Sequence, residues 1–467
     1  MSNYKRIIKM KNLNRIFLVS ALLFSFTFAK AQFVTPLDFM RMNPYQMKSN
    51  PAVDLPYQSV FSMLIGNASV GIQNTSLFYD NCFNFDAQGI PRSFNLRSLA
   101  AGLSPENYLG FEANNNFFTL YRRLNKGMLT ISLDLRMQGE MSYTDGLIKM
   151  LAYGNSIFVG ESNPAVMNVD ANMKAFQQIA VGYQLNVTDK LSIGARGKLL
   201  LGLANVTTDA FDVRLYTDPD SYAIRLQENI GMRMNVPRVL MAEDGRLRLN
   251  KDIGIVDLWR DPGFGVDLGA EYHITDQIGV VAAVTDLGFI SWSGNPIKLT
   301  GKINDAGEYY DNGDFVFDGL EWSDIQNMVS DPAYGEHFLD TLKQYFSVDF
   351  SNTEKYITGL NTNVLLRGYY DINGQNRISA QFQGQFMNSG FRPAMTLAYS
   401  GTFFNMIDVC ATYTMMKDNL ANLGLGLAGN FGTFHIYAAT SNIFGVFNPM
   451  NTKGFNAQAG IVFNLRK

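Results

Sequence analysis

The chain has 467 residues, 47% of them hydrophobic and 13% aromatic, which excludes a disordered protein and allows a large buried surface. Its formal net charge is −3, and taking away the six basic and no acidic side chains of residues 1–31 leaves −9, which disfavours nucleic acid as a partner. Mean hydropathy is −0.04, and no run of about 18 apolar residues follows residue 31, so any crossing of a bilayer must use strands.

In chain order, Lys5, Arg6, Lys9, Lys11 and Arg15 precede an apolar run from Ile16 to Phe28 and then Ala29-Lys30-Ala31, a small-x-small cleavage site. Residues 1–31 therefore read as a secretory signal peptide with Gln32 as the mature N-terminus. The apolar run is about thirteen residues, short of the roughly 20 of a spanning helix. Translation from Met10 would give an equally complete signal. Residues 32–57 precede the first strand and contain Asn50-Pro51-Ala52.

A first strand is expected near Ser59 and a second near Asn116. The clearest signal runs from Leu129 to Met141. Leu129, Ile131, Leu133, Leu135, Met137 and Met141 share one parity; Thr130, Ser132, Asp134, Arg136, Gln138 and Glu140 share the other. In a strand these become one apolar and one polar face. The pattern recurs from Gln178 to Val187 and, across Thr188-Asp189-Lys190, in Leu191, Ile193, Ala195, Leu199 and Leu201, which makes a hairpin. Further strands begin near Met128, Phe264, Ile278, Ile357, Arg377 (after Asn373-Gly374), Phe391, Met406, Leu420, Thr433 and Gly454. Five strands before residue 210 and nine after 260 give fourteen, an even number that suits a closed up-and-down barrel.

Connections fall into two classes. Asn125-Lys126-Gly127, Thr188-Asp189-Lys190, Thr275-Asp276-Gln277 and Gly401-Thr402-Phe403 are short, whereas residues 73–115, 144–176, 207–262 and 293–356 are long. Short turns on one side and long loops on the other are the pattern of a transmembrane antiparallel β-barrel, facing periplasm and exterior respectively. Within 293–356, Asp331-Pro332 followed by Phe338, Leu342 and Tyr345 at helical spacing predicts a short amphipathic helix. The organisation expected is thus a signal peptide at 1–31, an N-terminal segment at 32–57 and an all-β outer-membrane barrel at 58–467.

Charges facing lipid at mid-bilayer would cost roughly 2–4 kcal/mol each, so polar residues on the inward parity are assigned to the lumen. These are Asp134, Arg136, Glu140, Arg196, Lys198, Glu271, Arg367, Gln381, Gln383 and Gln385. They either line a path for a ligand or pair with one another to fix the register; pairing is the preferred reading. One hairpin departs from clean alternation. Continuing the parity of Ile278, Val280, Ala282 and Val284 would put Asp286 in lipid and turn Leu287 and Phe289 inward, so a bulge is expected at Thr285-Asp286. Such a bulge either re-aims side chains at an opening or only adjusts curvature.

Cys82 and Cys410 carry no spacing signal, and separate thiols are preferred to a disulfide. His273, His337 and His435 are scattered, without HExxH or Cys-His spacing, so neither a metal nor a cofactor is expected. No G-x-S-x-G or phosphate-binding glycine loop is present, and no catalytic residue is assigned.

Asn50-Pro51-Ala52 ahead of the first strand resembles the start of the long-chain fatty-acid outer-membrane transporter superfamily. Gly265-Val266-Asp267-Leu268-Gly269-Ala270, followed by Thr285-Asp286-Leu287-Gly288-Phe289-Ile290, resembles a strand pair in its relatives. Those relatives include accessory barrels of a protein secretion system and a family with no assigned activity, to which the whole chain is most similar. The resemblance implies a fourteen-stranded barrel closed by an N-terminal plug at Gln32 to Tyr57, with Thr285-Asp286 as a kink in the wall through which ligand leaves sideways. It carries over no ligand contact. Two functions follow: passive transport of a hydrophobic or amphipathic small molecule, or a non-transporting scaffold or secretion accessory. The second would bind a protein through its long extracellular loops, where Phe315, Phe317, Trp322 and Tyr345 supply aromatics. Outer-membrane lipid of a Gram-negative cell is the expected surrounding in either case.

Overall fold

The computed structural model describes residues 34–41, 43–55, 59–220, 224–236, 239–241, 247–249, 260–294, 296–302, 347–404, 406–416, 419–448 and 451–466. The signal peptide, Gln32, the helix expected from Asp331 and the aromatics Phe315, Phe317, Trp322 and Tyr345 lie outside the described residues.

Fourteen strands form the wall: β1 (Ser59–Asn74), β2 (Glu106–Leu124), β3 (Gly127–Thr144), β4 (Ala165–Asn186), β5 (Leu191–Thr217), β6 (Asp261–His273), β7 (Ile278–Trp292), β8 (Thr362–Asp371), β9 (Asn376–Met387), β10 (Gly390–Phe403), β11 (Ile407–Met416), β12 (Asn419–Phe431), β13 (Phe434–Thr440) and β14 (Gly454–Arg466). Each pairs antiparallel with its neighbour in this order. The ring closes where β1 pairs with β14, from Ser59↔Arg466 to Gln73↔Gly454. This is the closed antiparallel barrel that the alternation predicts.

The two parities separate as expected. Inside, Thr130, Ser132, Asp134, Gln138 and Glu140 of β3 are buried. Outside, Val181, Ile193, Leu199, Leu268, Val280, Leu366, Leu397, Leu427, Ile436 and Ile461 are each 41–53% exposed and form an apolar belt. An apolar belt on a sheet with no free edge is what hydrocarbon requires of a spanning structure, because every backbone N–H and C=O must be paired within the protein. Among the described residues no helix is long and apolar enough to cross a membrane. The fold is of the outer-membrane type, and strands make the crossing.

Three of the expected long loops, 73–115, 144–176 and 207–262, are shorter than predicted among the described residues, because the wall continues past the bilayer. β4 has 22 residues and β5 has 27, against the roughly 10 needed to cross. Ile224–Asn235 pairs with the outer half of β5, Ile297–Lys302 with Ile224–Asn235, and Ser347–Asn352 with Ile297–Lys302. Tyr356–Gly359 pairs with the outer end of β7. Much of 73–115, 144–176 and 207–262 is therefore strand. Register shifts between Ala175 and Phe176 and between Thr208 and Ala210 break the two-residue period there, which hides the strands from a parity reading. Leu201, expected on the lipid face, is instead buried, only 4% exposed, although it keeps the register of Leu199. The helix Gly146–Tyr153 covers Val213 and Leu215 through Met150, so these bury against protein rather than lipid.

One short turn is displaced. Gly401-Thr402-Phe403 continues β10, where the Thr402 hydroxyl donates to Asp408 Oδ1 at 2.6 Å, and the reversal comes after Phe403, which pairs with Ile407, with Phe404 at φ 54°.

Cys82 and Cys410 are both free, Cys410 fully buried in the wall and Cys82 half-buried at the end of the helix Tyr79–Cys82. Burial pushes the Cys82 thiol above its ordinary pKa. The thiolate is the nucleophile, so maleimide should label Cys82 of the folded protein, faster as pH rises, and Cys410 only after unfolding. Mass spectrometry of the labelled peptides checks this, and equal labelling of both cysteines in the folded state would contradict it.

Candidate functional site

Residues 34–41 and 43–55 lie in the interior of the barrel. Val34, Leu37, Phe39, Met40, Met47, Val53 and Leu55 pack against Tyr121, Met128, Cys410, Tyr437 and Val462 of the wall, and burying side chains of this size contributes roughly 1.5–3 kcal/mol each. Two short turns organise the segment. Thr35 Oγ1 accepts from the Leu37 N–H at 3.4 Å and starts the 3-10 turn Pro36–Phe39, which suits a proline at its first position. The second is the helical turn Gln46–Ser49. The segment is tied to the rim that bears the short turns. Arg41 donates to Gly374 O at 3.1 Å, Arg123 donates to Asp54 Oδ1 at 2.6 Å, and Asn186 donates to Asp54 Oδ2 at 2.9 Å.

Asn50-Pro51-Ala52 is a tight turn in which Asn50 Oδ1 accepts from the Ala52 N–H at 3.0 Å. It sits on two glycines of the wall. A Cβ at Gly194 of β5 would lie 2.1 Å from Pro51 O, and one at Gly269 of β6 would lie 2.3 Å from Asn50 Oδ1. Only a residue without a side chain lets the backbone come this close.

Two residues before this turn, Lys48 enters a buried network of charges. Lys48 Nζ meets Asp134 at 2.6 Å. Arg196 and Lys198 each meet Asp267 at 2.5 Å, and Lys198 also meets Asp286 at 2.6 Å. Arg136 grips Asp286 with two bonds, at 2.6 and 3.0 Å, the bidentate geometry in which an arginine–carboxylate pair is strongest. Arg196 donates further to the Lys48 carbonyl at 2.9 Å, so the network holds the backbone of the N-terminal segment as well as its ammonium group. Burial pulls Lys48 below the ordinary lysine pKa, and the Asp134 carboxylate opposes that pull. Lys48, Asp134, Arg136, Arg196, Lys198 and Asp286, with Tyr45, Glu112, Thr285 and Gln383, surround a cavity of about 120 Å³. The Arg136 guanidinium lies 5.4 Å from the centre of the Phe176 ring, and Phe176 belongs to a buried apolar cluster with Leu200, Ile290, Trp292, Tyr356 and Leu360. Ion network and apolar cluster are therefore adjacent.

The expected bulge is present. Val266 pairs with Leu287 and Leu268 with Val284, leaving Asp267 opposite both Thr285 and Asp286. Asp286 has φ 59°, and its N–H donates to Asp267 Oδ1 at 2.7 Å. The change of parity buries Thr285 and Asp286 and turns Leu287 and Phe289 outward, 56% and 45% exposed. On the other side of β7 the ladder is also irregular. Pairing with β8 stops at Thr285↔Asn363, and pairing with the strand Tyr356–Gly359 begins at Phe289↔Gly359, with the Leu360 N–H donating to Gly288 O at 2.9 Å between them.

Of the lumen candidates, the structure brings Asp134, Arg136, Arg196, Lys198 and Gln383 to the central cavity together with Thr285 and Asp286. The others lie apart. Arg367 donates to Asp38 O at 2.7 Å and to Gln381 Oε1 at 2.8 Å, and Gln381 donates to Gln383 at 2.9 Å. Gln385 is buried beside a small void near Tyr108. Glu271 accepts from the Tyr369 hydroxyl at 2.7 Å. Glu140 takes part in a contact across the lumen. The turn between β9 and β10 folds inward, the Asn388 N–H donates to Glu140 Oε1 at 3.2 Å, and the Ser389 hydroxyl donates to Glu140 Oε2. Arg392 lies 3.5 Å from the same carboxylate and is stacked 3.5 Å above the Tyr108 ring. β3 and β9 are not neighbours in the ring, so this crossing narrows the end of the barrel that bears the long connections. Sequence reasoning missed Lys48, Asp267 and Glu112. Asp267 has the inward parity of Glu271 and could have been found by it, whereas Lys48 lies in a segment with no period to read.

The sequence profile described as "Family of unknown function (DUF5723)" matches residues 51–441. No curated protein matches the chain. Among solved structures the chain is similar to the Pseudomonas putida toluene transporter TodX, at 9% identity and TM-score 0.41 over 93% of this chain and 97% of that one. It is also similar to a Pseudomonas aeruginosa FadL homologue, at 10% identity and TM-score 0.41 over 91% and 94%. A third similar structure is the CymD monoaromatic hydrocarbon channel, at 9% identity and TM-score 0.40 over 93% and 98%. With the profile spanning most of its length, from Pro51 to just past β13, the chain belongs to the DUF5723 family of unknown function.

Proposed function

We propose that the protein is a passive transporter in the outer membrane of a Gram-negative bacterium, moving a hydrophobic or amphipathic small molecule and performing no covalent chemistry. In this reading residues 32–57 are a plug, outer-membrane lipid surrounds the belt, and the Thr285-Asp286 bulge is the weak point of the wall. The observation that carries the reading is the sharing of one ion network by plug and bulge. Asp286, at the irregularity, is held by Arg136 and Lys198, and Lys198 also contacts Asp267, whose partner Arg196 binds the plug at Lys48. A ligand that displaces the plug thus disturbs the groups that shape the wall. The apolar cluster beside Arg136 gives a tail a place to lie, and the charges give a head group one.

The test is uptake by sealed liposomes containing the pure protein. An apolar fluorescent amphiphile should enter faster than into protein-free liposomes, while a hydrophilic sugar of similar size should not. Absence of accelerated amphiphile entry would overturn the reading.

A further inference from the structure

The β9–β10 turn separates two spaces. Asn388 and Ser389 border an outer cavity of about 540 Å³, walled on its far side by Ser142 and Tyr143 of β3, Asp170 of β4 and Phe211 of β5. The residue before them, Met387, borders instead a void of about 30 Å³ on the inner side, together with Tyr108, Glu112, Gln138 and Gln385. Glu112 also lines the central cavity. Three spaces therefore lie in series from the outer mouth to the ion network, and the turn stands between the first and the second.

The strands that carry the turn leave its tip loosely attached. β10 pairs with β9 from Gly390 but with β11 only from Met395, so residues 390–394 hold to one neighbour. Gly390 has φ 111°, a conformation that a residue without a side chain adopts at no steric cost. What keeps the tip inward is a set of contacts on one carboxylate. Besides the bonds from Asn388 and Ser389 to Glu140, Arg392 donates to the Ser389 hydroxyl at 2.5 Å, which makes a chain from guanidinium through hydroxyl to carboxylate. No ladder bond of the wall is among these contacts, so they can part while the strands stay paired.

We propose that the β9–β10 turn is the gate between an outer vestibule and the lumen, latched shut by Glu140. Opening swings the tip away from β3, joins the outer cavity to the void beside Gln385 and gives a ligand from outside a way to the central cavity. Closing keeps bulk water from the buried charges, whose pairing is stronger where the local dielectric is low. The use of the gate rests on the transport reading; the latch itself does not.

The experiment reads access and uptake separately. Gln385→Cys is placed beneath the turn in a Cys82→Ser, Cys410→Ser background, and the full-length protein in nanodiscs is labelled with a positively charged methanethiosulfonate. Labelling is expected to be slow with the latch intact. It should be about tenfold faster in Glu140→Gln, which keeps the volume and removes the charge, and in Ser389→Ala, which removes the hydroxyl link. A cationic reagent gains nothing from the loss of a carboxylate, so faster labelling reports opening. Heat-modifiable migration of each variant on a gel confirms that its barrel is folded. In the second arm, Glu140→Cys with Ser389→Cys, in the same background without Gln385→Cys, is joined by a short bifunctional methanethiosulfonate. Amphiphile uptake by liposomes should then fall to the protein-free rate and return on reduction. Labelling unchanged in both folded variants, or uptake undiminished by the crosslink, would overturn the gate. Faster labelling in the variants with no amphiphile uptake by the parent protein would leave the gate standing and remove the transport reading; uptake that survives the crosslink would do the reverse.

Discussion

Replacing Asp286 with alanine is expected to destabilise the barrel by about 3–5 kcal/mol, the cost of leaving buried partner charges uncompensated. Both oxygens of this carboxylate are engaged, by Arg136 and by Lys198, and all three side chains are at most 10% exposed. A second effect adds to the first. Asp286 has φ 59°, which asparagine and aspartate tolerate and which costs alanine roughly 1–2 kcal/mol. Asp286→Asn separates the two, because it keeps the backbone preference and removes the charge. Urea titration of the detergent-folded barrel measures all three proteins. A shift below about 1 kcal/mol for Asp286→Ala would show that Arg136 and Lys198 find other partners and that the bulge is not held by charge.

The second large effect is expected from Gly194→Leu. The Cβ alone would lie 2.1 Å from a backbone carbonyl of the Asn50-Pro51-Ala52 turn, and the next closest atoms, Pro51 C and Ala52 N, are also main chain. Main chain cannot swing aside as a side chain can. Overpacking costs typically about 1–3 kcal/mol, and the cheapest relief is for residues 34–55 to leave their seat while the wall, which has its own ladder, stays intact. Two measurements follow: higher single-channel conductance in planar bilayers and new proteolytic cleavage between residues 41 and 55. Gly269→Leu should behave alike, since the same turn covers it. Unchanged conductance together with continued protection of the segment in both variants would contradict this seating.

The wall was legible because each strand that crosses lipid must put apolar groups on one parity, and a parity needs no knowledge of neighbours. For the same reason the bulge at Thr285-Asp286 could be read. A charge on the wrong parity followed by Leu287 and Phe289 has one inexpensive remedy, an inserted residue. The pairing of Asp134, Arg136, Arg196 and Lys198 was legible as a class, since opposite charges enclosed together seek one another; which pairs form was not. Three features depended on contacts that no local pattern encodes. Gly194 and Gly269 look like any strand glycine until a turn some 140 to 220 residues earlier is laid upon them. The β9–β10 turn reads as an ordinary hairpin, and only its bonds to Glu140 reveal that it leans inward. The outer extensions of β4 and β5 were missed because their register shifts reset the parity within the run.

The seam between β1 and β14 has a kinetic consequence. Ser59 meets Arg466 there, so the earliest and latest staves of the wall are joined across nearly the entire chain. Such a contact comes late in folding, because the loop it closes is long and little local structure helps to close it. Until the final residues are delivered, both staves present unpaired N–H and C=O groups, which hydrocarbon does not tolerate and which other strands can capture. Loss of β14 alone should therefore yield aggregated chain, with no thirteen-stranded barrel recovered.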